Sequence, residues 1–302
     1  MAPRTRFFRS LIPRSGHRGY LWVHIWGLPG GEGPGGIPDK LFYHSWATIR
    51  LRRIVPFRVM LLEGPGFFAL TERGGRERNE DAILALDLGE HFLFAVADGL
   101  GGHACGEVAS GIAIAELSRI DAGTVSRSDA ELLLLQAFAE ANLQIVRYNL
   151  DHGVNSGTTL TACLATRDGR CTIGNLGDSR VYVIGEKTCW HTRDHSYLQQ
   201  LIDSGELRER DAIRHPRANI ITRALGLERG CVPDIYDRNA GGKTLVLTSD
   251  GIHDFIEPSR FRDLVRGRGP GDAARALVDA AVSGGSTDNL SVIVCQFGEK
   301  PA

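Results

Sequence analysis

The chain has no apolar run near the roughly 20 residues that span a bilayer, no C-x-x-C pair, and almost no net charge, at −1 over 302 residues. The first absence excludes a helical membrane span. The second concerns six scattered cysteines, Cys105, Cys163, Cys171, Cys189, Cys231 and Cys295. Their spacing argues against a zinc site or a disulfide framework and fits reduced thiols in a cytoplasm. The third leaves nothing in the total to draw the chain to nucleic acid or an anionic membrane. The start, "MAPRTRFFRSLIPRSG", is arginine-rich but lacks the apolar stretch and cleavage site of a secretory signal. Methionine is nearly absent, with only Met1 and Met60. No internal repeat is visible.

What is present is a 42% apolar, 24% charged chain, which is enough for a sizeable core in one large domain or two ordinary ones. The near-zero total hides an asymmetry. Residues 1–62 carry ten Lys/Arg against two Asp/Glu, net +8, so the remainder stands at 25 − 34, or −9. The same segment includes "GLPGGEGPGGIP" and "IRLRRIVPFRV", with no sustained period of 2 or 3.6. We expect 1–62 to be a basic, Gly/Pro-rich, poorly ordered extension and 63–302 to be the working domain. The native protein is expected to start near Met60, with an organelle transit peptide as the rival reading; intact-mass measurement decides this, and a natural N-terminus at Met1 would refute the Met60 start.

From Met60 onward the pattern is regular. "AILALDL" and "HFLFAVAD" read as strands joined at Gly89-Glu90. "GEVASGIAIAELSRI" has helical spacing, and "SDAELLLLQAFAEANLQIVRYNL" opens on a Ser128–Glu131 capping box. Strands "TTLTACLAT", "CTIGNLG" and "SRVYVIG" follow, the first two turning at Asp168-Gly169. Residues 194–230 are polar and helix-prone, an insertion rather than core. The chain closes with strand "KTLVLTSD", helix "GDAARALVDAAVS" and strand "NLSVIVCQF". Strand groups alternating with helix pairs indicate an α+β fold of antiparallel sheets covered by helices.

The unusual feature is where the acids fall. "FLFAVADG" ends six apolar residues on Asp98; "NLGDS" delivers Asp178, "TLVLTSDG" Asp250, and "STDNLSVIV" sets Asp288 before a strand. Asp254 follows Asp250 by one helical turn, and Glu80-Asp81 precede the first strand. A single Asp-Gly after a strand is usually an ordinary turn, Glu80-Asp81 read alone are solvated hairpin residues, and His103 read alone is a helix-start or surface histidine. Four acidic strand ends in one chain point instead to a shared site. Gathered carboxylates repel unless neutralised, and a hard divalent cation that prefers oxygen ligands is the economical neutraliser. Gly99 and Gly251 then allow the backbone to come close, and the Gly99 carbonyl can itself be a ligand.

"RERNEDA", "ADGLGGHACGEVAS", "SGTTLTACL", "NLGDSRVYVI", "TSDGIHDFI" and "STDNLSVIV", in this order, resemble the metal-dependent Ser/Thr protein phosphatases of type 2C, the PPM family, in its bacterial form. The resemblance covers roughly residues 67–297, and 194–230 is similar to that branch's flap. It implies a four-layer α-β-β-α sandwich of two antiparallel sheets flanked by helix pairs. It also implies two Mn²⁺ or Mg²⁺ ions: Asp98 bridging them, Gly99 ligating the second through its carbonyl, Asp250 and Asp288 completing the first. Glu80 and Asp81 match the acidic pair at the second ion or its waters. Asp178, with Asp250 and Asp254, matches a third, weaker position. Arg76 matches the arginine that clamps the substrate phosphate, and Asn289 the residue after the last metal aspartate. A water between two such ions loses its proton near neutral pH and can attack phosphorus in line.

One position departs from the pattern. Eukaryotic members carry a histidine directly after the Asp-Gly, where this chain has Leu100; His103 resembles that of the bacterial Gly-Gly-His motif and is the candidate general acid, or else a residue that orders the helix start. The partners implied are phosphorylated Ser/Thr proteins and a cognate Ser/Thr kinase, for a monomer in a bacterial cytoplasm. Two rival readings stand beside this one. A binding protein that only kept the fold would ordinarily have lost metal aspartates, and Asp98, Asp250 and Asp288 are all present. A dedicated switch acting on one partner, such as an anti-sigma antagonist or a secretion-system component, is the same enzyme with a narrower substrate.

Overall fold

Strand β5 (His91–Ala97) shows why the apolar runs are continuous rather than alternating. Phe92, Phe94 and Val96 point into one buried cluster, and Leu93, Ala95 and Ala97 into another. A strand covered on both faces has no polar side to display. The computed structural model describes residues 22–25, 59–64, 66–101, 105–123, 125, 130–208, 211, 215–217, 220–227 and 231–298. Two sheets face each other across the first cluster. One runs in the order β1 (Trp22–Ile25), β2 (Val59–Gly64), β3 (Phe67–Glu72), β14 (Leu290–Gln296), β13 (Thr244–Thr248), β10 (Arg180–Ile184) and β11 (Cys189–His191). The other runs β12 (Asp234–Asn239), β9 (Arg170–Leu176), β8 (Leu160–Thr166), β5 and β4 (Ala82–Asp87). A short pair, β6 (Gly99–Leu100) with β7 (Gly157–Thr158), sits apart. All the pairings are antiparallel.

Helices close both outer faces. Helices α1 (Gly106–Leu117) and α2 (Ala130–His152) cover the five-stranded sheet. Helix α2 does so with Leu134, Ala137, Phe138, Ala141 and Ile145, a helical repeat set against Leu93, Leu160 and Leu164. After α3 (Tyr197–Asp203), helices α4 (Asp250–His253), α5 (Pro258–Val265) and α6 (Pro270–Ser283) follow. Ile252, Phe261, Val265, Leu277 and Ala281 from the last three pack on Val246, Val292 and Val294 of the seven-stranded sheet. The α+β sandwich of two antiparallel sheets between helical layers is therefore observed.

Several boundaries differ from the sequence reading. The limit drawn at 62/63 falls inside β2, and β1 pairs with β2 as Trp22↔Glu63 to Ile25↔Met60. The rest of the extension, and Ser128 of the capping box, lie outside the described residues. Segment 194–230 contains helix α3, capped by the Ser196 hydroxyl accepting from Gln199 N. It is also rooted in the core: Leu225 is fully buried in the α1/α2 cluster and bridges to Thr158. Strands β2, β3, β11 and β12 and helix α5 went unread; β12, "DIYDRN", is an edge strand whose residues are largely half-exposed, so it carries no apolar signal.

The candidate metal centre

Antiparallel register gathers the acids. Ala82 pairs with Ala97, so Asp81 and Asp98 lie just beyond the same rung, where β4 starts and β5 ends. Leu160 pairs with Leu176, Arg180 with Thr248, and Thr248 with Val292. The turn holding Asp178, the start of α4 at Asp250 and the approach to β14 at Asp288 thus fall at that same end of the sandwich. Asp254 is the C-cap of α4, its N–H donating to the Asp250 carbonyl at 3.0 Å.

The carboxylates there feel one another. Burial is the largest cause in each case, and neighbouring anions add to it. Asp98 is pushed well above the ordinary carboxylate range, with Asp81, Asp250 and Asp178 close by. Asp178 is likewise pushed well up, facing Asp250, Asp194 and Asp254. Asp81 and Asp254 are each raised to about 7, and Asp250 and Glu80 are raised too. Asp250 lies beside Asp98, and its charge helps hold a proton on Asp98. Nearby arginines are already engaged: Arg76 on Asp288 at 2.6 Å, Arg78 on Glu107 at 3.4 Å, and Arg180 on both oxygens of Asp194 at 2.8 and 2.6 Å.

Neutral groups hold the frame. The hydroxyls of Ser249 and Ser291 both donate to Asp81 Oδ2, at 2.8 and 2.6 Å. Thr159 accepts from Asp98 N through its hydroxyl at 2.9 Å, while Thr158 Oγ1 and Thr159 N donate to the Asp98 carbonyl, each at 2.9 Å. None of these hydroxyls has a role in the sequence reading, although all four lie in its motifs: Thr158 and Thr159 in "SGTTLTACL", Ser249 in "TSDGIHDFI" and Ser291 in "STDNLSVIV". Asn289, noted there only for its place, hydrogen-bonds across the loop that carries Arg76. His103 lies outside the described residues.

The donor set fits a hard cation. The second oxygens of Asp81 and Asp178 are buried without a hydrogen-bond partner, and every candidate donor is a carboxylate or carbonyl oxygen. As the side chains stand, no three His, Cys, Asp or Glu groups among the described residues are already arranged around one point as ligands. The crowding has a backbone basis as well. A Cβ on Gly99 would stand 2.3 Å from the Gly106 carbonyl oxygen and 2.6 Å from that of Glu80, and one on Gly251 would stand 2.0 Å from that of Asn289.

Gly251→Ala will therefore lower unfolding free energy by about 1–3 kcal/mol in urea melts. Gly111→Ala, in α1 with nothing within 4 Å of the added carbon, will raise it by about 0.5–1 kcal/mol. Equal effects at the two positions would contradict the close approach at Gly251.

Comparison with known proteins agrees with this architecture. Residues 72–269 match the family described as Protein phosphatase 2C. The serine/threonine phosphatase stp of Listeria welshimeri is 33% identical over 236 residues, spanning 75% of this chain and 93% of that protein. The crystal structure of the Mycobacterium tuberculosis serine/threonine phosphatase PstP/Ppp superposes with a TM-score of 0.70 at 31% identity, covering 77% of this chain and 98% of that one. A structure of the PstP catalytic domain in complex with two manganese ions gives 0.67 at 31%, covering 76% and 96%. This chain belongs to the protein phosphatase 2C family. Among the described residues no helix is long and apolar enough to cross a membrane.

Proposed function

We propose that this chain hydrolyses phosphoserine and phosphothreonine in proteins with two divalent cations, manganese or magnesium, and opposes a Ser/Thr kinase in bacterial signalling. The convergence of Asp81, Asp98, Asp178 and Asp250 beneath an exposed arginine, Arg76, carries this reading. Asp98, the Gly99 carbonyl, Asp250 and Asp288 would hold the pair of ions, with Glu80 and Asp81 at the second ion or its waters. Asp178, Asp250 and Asp254 would offer a third, weaker position. When bound, such ions supply an activated water and positive charge for the phosphoryl oxygens.

The chain's own groups do the rest. Arg76 has a side chain 56% exposed and can present its planar fork to two phosphoryl oxygens at once. Ser249 and Ser291 keep Asp81 turned into the site. Thr158 and Thr159 fix the Asp98–Gly99 backbone on which both the side-chain and carbonyl ligands depend. His103 is the candidate proton donor to the leaving alkoxide. Cys163 and Cys295 are buried in the core with their thiols pushed up by desolvation, far from nucleophilic thiolates.

The test is hydrolysis of a phosphothreonine peptide with and without manganese. Turnover should require the metal and vanish with a chelator; chelator-resistant turnover would refute the reading. His103→Ala should lower turnover by roughly 10²–10⁴-fold, and more on the peptide than on para-nitrophenyl phosphate, whose leaving group needs no proton. Equal small losses on both substrates would remove His103 from the chemistry.

A further inference from the structure

Asn289 is buried at the start of β14, next to Asp288, and its whole side-chain amide is spent on one loop. Its Oδ1 accepts from Glu80 N at 2.8 Å, and its Nδ2 donates to the carbonyls of Arg73 at 2.9 Å and Arg78 at 2.8 Å. One acceptor and two donors at this geometry suit a carboxamide. A carboxylate of the same shape would set an anion against two carbonyl oxygens.

The loop has other anchors: within it, Arg78 reaches Glu107 at 3.4 Å and Gly75 is held by Thr287, and the remainder fall at its end. Glu80 O accepts from Ser110 Oγ at 2.6 Å and from Gly99 N at 3.2 Å, and Asp81 is held by its two serines. The part that leans on Asn289 is residues 73–78, which carry Arg76. That turn is pressed onto the same stretch of chain: Gly75 N donates to Thr287 O at 3.0 Å. Gly74 has φ +61°, and a Cβ there would stand 1.9 Å from Asp288 O. Arg76 itself reaches Asp288.

We propose that Asn289 is a positioning residue that sets where the Arg76 guanidinium stands over the aspartate cluster, and so governs phosphate binding rather than metal binding. This rests on the phosphatase reading. In Asn289→Asp, KM for a phosphothreonine peptide and the inhibition constant of inorganic phosphate should rise ~10–100-fold, the scale of a small misplacement of a binding group. Turnover number and the manganese concentration for half-activity should each change less than about threefold, as for lost ground-state binding. Arg76→Ala should give a comparable rise, and the double variant should be no worse than Arg76→Ala by more than about threefold, because the two act as one unit. Gly74→Ala, which lifts the turn by a different route, should reproduce the pattern if Asn289→Asp fails to fold. Trypsin should cut the metal-loaded Asn289→Asp protein after Arg76 faster than wild type.

Additive losses in the double variant, a loss confined to turnover number or manganese requirement, or unchanged cleavage at Arg76 would each overturn the proposal. A wild type without manganese-dependent turnover would refute the phosphatase reading, while the trypsin arm would still decide whether Asn289 holds the turn.

Discussion

Asp250→Asn will lower manganese-dependent turnover of a phosphothreonine peptide by at least about 10³-fold, or about 4 kcal/mol in the barrier, while raising the melting temperature of the chelator-treated protein. Both effects have one origin. Asp250 is half-buried with Asp288 and Asp98 close by, and desolvation raises its pKa, so its charge is costly until a cation answers it. An amide of the same shape no longer repels its acidic neighbours but offers a cation no negative charge. The metal-free variant sheds repulsion, and the metal-loaded variant loses its ligand. A site built for function at the expense of the bare fold behaves this way. Kinetics with manganese and calorimetry with chelator check the two halves separately. Near-normal turnover would remove Asp250 from the metal shell. A melting point below wild type in chelator would show that the charge is not uncompensated.

The second large effect is a pH dependence of stability that manganese erases. Asp81 and Asp254 hold protons to about pH 7 in the folded chain, whereas an unfolded aspartate releases its proton near 3.9. Across that window the folded protein binds more protons than the unfolded one, so stability falls as pH rises and is lowest once these groups ionise. Asp98 and Asp178, raised further, extend the decline in the same direction. His253 and His195, kept neutral by burial, oppose it only below their ordinary 6.5. The chelator-treated protein should therefore melt lower at about pH 8.5 than at about pH 6.5. A loss of about 2 kcal/mol corresponds to roughly 5 °C for a domain of this size. Millimolar manganese should restore the higher value at the alkaline end by replacing protons with cations. A melting temperature that is flat or rises with pH in chelator would contradict the buried acidic cluster.

How far the primary order carries depends on whether a feature is local. The core strands were legible because residues 91–97 are apolar on both faces, a signal that survives without knowledge of the partner sheet. The acidic strand ends were legible for the same reason: an aspartate closing a buried run is anomalous within eight residues of text. Helix α2 announced itself by its repeat. Strand β12 did not, because at the sheet edge "DIYDRN" has no periodic apolar face to bury. Leu225 read as part of a polar insertion, although it is fully buried beside Thr158.

The sequence alone determined the layered α+β architecture, the family's order of motifs and the identity of the aspartates. Tertiary structure decided what surrounds them. Ser249 lies 168 residues from Asp81 and Ser291 lies 210, yet both donate to the same carboxylate oxygen. Asn289 grips Arg73 across 216 residues. No window along the chain contains such pairs, because strand register and the face-to-face packing of two sheets bring them together. A hydroxyl or amide also looks the same on paper whether water or a buried anion is its partner.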